Sequence, residues 1–174
     1  MKLAIIGPTD VKHFCDLLQR DEFEYLDKIE KIAKYVAQNG FEIVIVPHKD
    51  SVSEFFAKIY VDEKGRKVHG IYPLKDSEFG ISGINQDISD ETLHPPNWRE
   101  VPIFLVSNAD AMLCLGLGPG SMIEICYAKW YPVKKILVLQ DFITDRLPAE
   151  IESRLNIEYI HSRDLPKIAF LKSI

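Results

Sequence analysis

Two continuous apolar runs, Met112 to Leu115 and Ile136 to Leu139, flank a turn that packs three glycines and a proline into the five residues from Gly116 to Gly120. A strand buried on both faces, a tight turn, a helix and a second buried strand make one β-α-β unit, and such a unit demands a parallel sheet under helical cover. Gly116, Gly118 and Gly120 let the backbone turn tightly and approach a ligand, and Pro119 restricts one step of that turn. Ser121 is placed to cap the following helix, with Glu124 three residues on in the reciprocal capping position. The same geometry makes an anion site, because the first amides of a helix lack internal acceptors and a loop without side chains lets a phosphate or carboxylate reach them. Glu124 therefore has two readings: a capping group, or a carboxylate that faces the ligand as a base or electrostatic group. The turn is not a dinucleotide fingerprint, since it follows a strand late in the chain rather than closing a first β-α-β unit.

Around this unit the chain repeats the same alternation. Lys2 to Ile6 is expected to be the first, central strand, and Gly7, Pro8, Thr9 and Asp10 after it form either a plain turn or the ligand edge of the sheet. His13, Phe14 and Cys15 have no assigned element. Glu22 to Asn39 has a helical period with Phe23, Leu26, Ile29, Ala33, Val36 and Ala37 on one face, and Gly40 ends it. Phe41 to Val46 is then a second strand, and the short helical crossover makes it a parallel neighbour of the first. A helix capped by Asp50 or Ser51, with Phe55, Phe56, Ile59 and Tyr60 on its apolar face, precedes a short strand from Val68 to Tyr72. Lys75 to Pro96 is irregular and long for a compact domain, so it reads as a lid or specificity loop or as a surface excursion. A helix starting at Trp98 is expected under an Asn97 cap, bent by Pro102 and carrying Phe104, Leu105 and Val106 inward. Lys134 to Leu139 is the next strand, and Asp141 to Arg146 reads as polar and exposed. Pro148 to Arg154 reads as a short helix, Ile157 to Ile160 as an edge strand, and Leu165 to Leu171, including Phe170, as a last helix under Asp164. The sum is one α/β domain over residues 1–174, an open three-layer sandwich with a mostly parallel sheet.

Charge narrows the partners. Twenty-six acidic against 21 basic residues give a net charge of −5 without a long basic block, which opposes an extended nucleic-acid surface and leaves a local phosphate site open. The apolar run from Leu3 to Ile6 is too short for a secretory signal and no run approaches a membrane span, so a cytoplasmic protein with no membrane association is expected. Cys114 and Cys126 fall on apolar elements and read as buried free thiols. His13, His48, His69, His94 and His161 have no ligand spacing, so neither a metal nor a cofactor is expected. Asp76, Glu78, Asp87 and Asp90 either line a pocket under a closing loop or form a solvated acidic loop. Ser121 lacks the setting of a nucleophile elbow.

The stretch GLGPGSMIE, from Gly116 to Glu124, resembles the signature of the LOG family of Rossmann-like proteins, formerly described as lysine decarboxylases and grouped in the wider SLOG superfamily. Gly118, Gly120 and Glu124 match that signature directly, and Ser121 replaces its threonine with another hydroxyl. Leu117 stands where the family has glycine, PHKDSVSEF lacks the family's glycine-rich turn after the second strand, and Arg99 lies about two residues from the register of the family's arginine. The resemblance extends to the likely strand order over nearly all the chain and implies a nucleotide-binding, Rossmann-like sandwich. It also implies hydrolysis of the N-glycosidic bond of a nucleoside 5'-monophosphate to free base and ribose 5-phosphate. In that chemistry Glu124 stabilises charge developing on the ribose or orients water, and Arg99 pairs with phosphate or assists the departing base. A noncatalytic sensor or binding protein for a nucleotide or phosphorylated sugar uses the same turn, and so does a deoxyribosyltransferase-like enzyme. The resemblance also implies a homodimer, for which Trp130 and Tyr131 are candidate surface residues.

Overall fold

A computed structural model of the chain describes residues 1–173; Ile174 and the side chain of Phe170, expected on the last helix, lie outside them. Seven strands, β1 (Lys2–Ile6), β2 (Glu42–Ile45), β3 (Val68–Ile71), β4 (Glu91–Leu93), β5 (Ala111–Cys114), β6 (Lys135–Leu139) and β7 (Ile157–Ile160), form one sheet in the order β4-β3-β2-β1-β5-β6-β7. Every pairing within the sheet is parallel. The helices are α1 (Val11–Leu17), α2 (Glu22–Gln38), α3 (Val52–Asp62), α4 (Val101–Ser107), α5 (Pro119–Tyr127), α6 (Ala149–Glu152) and α7 (Pro166–Phe170). The architecture is a single-domain Rossmann-like three-layer sandwich.

The period of two along each strand explains the layers. Leu3, Ile5, Ile43, Ile45, Leu113, Leu137 and Leu139 point to one face and pack with residues of α1, α2, α3 and α7. Ala4, Ile6, Val44, Met112, Cys114, Ile136 and Val138 point to the other and pack with α4 and α5. Both faces are therefore apolar, which is why the strands read as unbroken hydrophobic runs. Each fully buried Leu or Ile contributes about 2 kcal/mol.

Several expectations change. β4 forms inside the segment read as irregular; its three side chains are all exposed and only one, Leu93, is apolar, so no strand pattern shows in the sequence. Main-chain pairing with β3 holds it, helped by Lys67 to Glu91 at 2.7 Å and by His69, whose two ring nitrogens lie 2.9 Å from Glu42 and 3.2 Å from Glu91. Such a short, charged strand also blunts the sheet edge. Phe23 is 86% exposed, and Tyr25 takes its place on the buried stripe of α2 together with Ile29, Ile32, Ala33 and Val36. His13, Phe14 and Cys15 belong to α1, whose cap is the Asp10 carboxylate accepting from the His13 amide at 2.8 Å. Ser51 caps α3 as expected, accepting from the Glu54 amide at 3.2 Å.

Helix α4 begins three residues later than expected, at Val101. That start puts Pro102 in the first turn, where its missing N–H costs nothing and no bend is required. Asp141 to Arg146 is not uniformly exposed: Phe142 is buried edge-on against Tyr25 with ring centroids 4.7 Å apart, and Ile143 is buried in the core of the opposite face. Cys114 is buried, but Cys126 is exposed, because it lies on the outer face of α5. Among the described residues, no helix is long and apolar enough to cross a membrane.

Candidate functional site

The chain leaves β1 toward β2 on one side of the sheet and reaches β5 on the other, so the carboxyl ends of β1 and β5 mark the topological switch point. Open parallel sheets leave a crevice there, because the connections on the two sides run to opposite faces. A cavity of about 200 Å³ occupies this place. Ile5, Ile6 and Gly7 supply its floor from β1 and Val46 from the end of β2, with Val101 and Leu105 of α4 and Gly120, Ser121 and Glu124 of α5 as walls. Thr9, His48 and Trp98 stand toward its mouth and also line a wider outer cavity of about 590 Å³.

The signature turn is built differently from its sequence reading. α5 starts at Pro119 with Gly118 as N-cap, so Ser121 is the third helical residue and takes the reciprocal capping contact, not the N-cap position. Proline at the first helical position has its φ preset and needs no N–H partner, which pulls the start forward. Ser121 Oγ accepts from the Gly118 amide at 2.8 Å and lies 3.1 Å from the carbonyl oxygens of Gly116 and Gly118, donating to one at a time. The hydroxyl thus ties the turn together from inside. Tyr25 adds a brace from below, its hydroxyl donating to the Leu115 carbonyl at 2.8 Å.

The glycines divide by role. Gly116 has φ +154°, and a methyl there would lie 2.7 Å from Phe14 Cζ. Gly7 has ordinary φ, but a methyl would meet Val52 Cγ1 at 2.6 Å. Gly118 and Gly120 are different, since a methyl on either meets nothing within 4 Å. Neither packing nor φ requires glycine at those two positions, and their bare backbone leaves open space at the start of α5.

Glu124 lies one turn into α5, not in a cap, and only 9% of it is exposed. No hydrogen bond or ion pair reaches its carboxyl group from the described residues, and burial alone pushes its pKa up to about 8. The group is therefore mostly protonated at pH 7 and does not repel an anion held above it. No lysine or arginine lines the inner cavity among the described residues. Trp98 Nε1 is buried without an acceptor, an arrangement that costs about 1–3 kcal/mol.

The structure brings Gly7, Thr9, Gly120, Ser121 and Glu124 together around the inner cavity. Pro8 is buried next to it and its carbonyl accepts from the Val52 amide at 3.0 Å. Asp10, engaged as the α1 cap, borders the outer cavity. Gly116, Gly118 and Pro119 shape the turn behind. Arg99 lies apart: its guanidinium pairs with Glu78, and it lines a separate cleft with Lys75, Asp76 and Asn97. His48 and Trp98, which the sequence did not single out as site residues, join the site because one ends the β2 connection and the other precedes α4. Their signal was positional, since both lie where segments return to the carboxyl edge of the sheet.

No family model and no curated protein matches this chain. Solved structures do share its fold. The molybdenum cofactor carrier protein MCP from Chlamydomonas reinhardtii superposes with a TM-score of 0.73 at 15% identity, covering 99% of this chain and 98% of that one. The molybdenum cofactor binding protein from the phototrophic bacterium Rippkaea orientalis gives 0.69 at 17% identity over 99% and 95% of the two chains. The structural-genomics target TM1055 gives 0.68 at 19% identity over 99% of each. At such identities the likeness establishes a shared Rossmann-like fold over nearly the whole length of each chain.

Proposed function

We propose that this protein binds a phosphorylated small molecule in the switch-point cavity and acts as a carrier or sensor for it. The observation that carries the reading is the open backbone of Gly118 and Gly120 at the start of α5, beside a buried Glu124 that has no partner among the described residues. Helix amides supply the anion site in the absence of a lining cation, and a mostly neutral Glu124 is a hydrogen-bond donor toward it. Two of the fold neighbours are described as carrying or binding the molybdenum cofactor, which supports binding over turnover and makes that cofactor, as cargo, a ligand to test beside nucleoside monophosphates. Hydrolysis of a nucleoside monophosphate is the second reading. Glu124 favours it, because a carboxyl group with a pKa near 8 in a cavity can protonate a departing base.

Calorimetry of the purified protein against inorganic phosphate, ribose 5-phosphate, nucleoside monophosphates and molybdenum cofactor released from a donor enzyme, with chromatography of each mixture, separates the two. Binding without new products is expected. Stoichiometric release and turnover to base and ribose 5-phosphate would sink the carrier reading.

Self-association belongs to the same proposal. Ile123, Cys126 and Trp130 follow one another along the outer side of α5 and the turn after it; Ile123 is 48% and Trp130 72% exposed. Tyr131 instead packs partly against the α4–α5 core. Light scattering is expected to give a dimer that Trp130→Glu converts to monomer; a monomer at every concentration removes this part of the proposal.

A further inference from the structure

The inner cavity is too small for a whole nucleotide. Its 200 Å³ falls below the roughly 300–1,000 Å³ of typical small-molecule sites, whereas the outer cavity adds about 590 Å³ and shares Thr9, Val46, His48 and Trp98 with it. A ligand anchored by phosphate at α5 must therefore extend outward past Trp98. There it meets Phe79, a 55% exposed aromatic ring at the edge of the outer cavity.

Phe79 is not placed at random. The Asp76 carboxylate accepts from the amides of Glu78 at 2.7 Å and Phe79 at 2.9 Å through one oxygen. Its other oxygen accepts from the Trp98 amide at 2.9 Å. One side chain thus ties the turn carrying Phe79 to the residue that borders both cavities. Trp98 in addition holds a buried indole N–H with no acceptor.

We propose that Phe79 and Trp98 form a recognition subsite for a planar heterocycle, with Asp76 as the positioning residue that sets the two aromatic side chains relative to each other. The inference rests on the phosphate-site reading above and names what the rest of the ligand is: a flat, nitrogen-containing ring joined to the phosphate by a spacer of sugar size. The ring lies along the aromatic wall, and a small rotation of the indole lets Trp98 Nε1–H donate to a ring acceptor. Bare sugar phosphates fill only the inner cavity and gain nothing from Phe79.

The chain contains two tryptophans, so Trp130→Phe leaves Trp98 as the single indole reporter. In this background adenosine 5'-monophosphate is expected to change Trp98 emission, and ribose 5-phosphate is not. Phe79→Ala is expected to weaken adenosine 5'-monophosphate on the order of tenfold, the loss of one stacking contact. It should leave ribose 5-phosphate affinity unchanged, and Phe79→Tyr should restore nucleotide binding. Asp76→Ala should reproduce the selective loss. Equal weakening of both probes by Phe79→Ala, or nucleotide binding with unchanged Trp98 emission, overturns the subsite while leaving the phosphate site standing. Failure of every phosphorylated probe to bind overturns both.

Discussion

Glu124→Gln is expected to stabilise this protein, and to do so by more as the pH rises. The carboxyl group is buried, unpaired among the described residues and shifted from an ordinary 4.5 to about 8 by loss of solvation. Between those two values the folded chain keeps a proton that the unfolded chain has released. Raising the pH through this window therefore favours unfolding. The penalty is absent below about pH 4.5, grows by about 1.4 kcal/mol per pH unit and levels off above about pH 8, where it totals several kcal/mol. Glutamine is nearly isosteric and does not ionise, so the variant escapes it. Other carboxylates with shifted pKa values, such as Glu54 and Asp141, are common to both proteins and cancel in the difference. Urea unfolding of both proteins from pH 5 to pH 9 should give curves that nearly coincide at the acid end and separate by about 3–5 kcal/mol at the alkaline end. Parallel curves would mean that Glu124 is solvated or paired in solution. The same variant bears on function: a carrier keeps its ligand when this carboxyl becomes an amide, whereas the hydrolytic reading loses turnover.

The second large effect contrasts two glycines of one turn. Gly116→Ala is expected to destabilise the fold by about 2–5 kcal/mol, because it combines a backbone conformation that L residues rarely adopt with overpacking. The new methyl meets Phe14 Cζ of α1 at 2.7 Å and Pro8 Cδ, in the turn after β1, at 3.0 Å. Gly120→Ala, four residues on, should be neutral or stabilising by up to about 1 kcal/mol, since alanine is the better helix former and its methyl meets nothing. That methyl does enter the space in front of the first turn of α5. Ligand binding to Gly120→Ala should therefore weaken tenfold or more, about 1.4 kcal/mol, in a protein at least as stable as the parent. Thermal unfolding and calorimetry on the two variants check both halves. A Gly120→Ala protein that binds phosphorylated ligands normally would remove the helix start from the site.

The expected layers and six of the seven strands follow from patterns confined to short windows. The continuous apolar runs Leu3 to Ile6 and Met112 to Cys114, the α2 period ended by Gly40, and the glycine-proline turn are all local, so the chain carries them in plain sight. Where burial was absent the reading failed: β4 exposes all three of its side chains and left no pattern to read. Phe23 and Tyr25 exchanged roles against their hydrophobicity, which favours burying the phenylalanine, because only Tyr25 has a hydroxyl that can reach the Leu115 carbonyl.

The candidate site divides along the same line. Strand-turn-helix order by itself determined that Gly7, Thr9, Gly120 and Ser121 would sit at the carboxyl edge of a parallel sheet, since each follows a buried strand at short range. The helix start at Pro119, a local effect, takes Glu124 out of the capping position. Only the tertiary structure decided that Glu124 is a buried acid, because its environment is made by β1 and α4, far away in the chain. It alone paired Arg99 with Glu78 and joined Phe79 to Trp98 through Asp76. Helix caps and turns are settled by neighbours within about four residues; desolvation and cavity walls are summed over residues that only folding brings together.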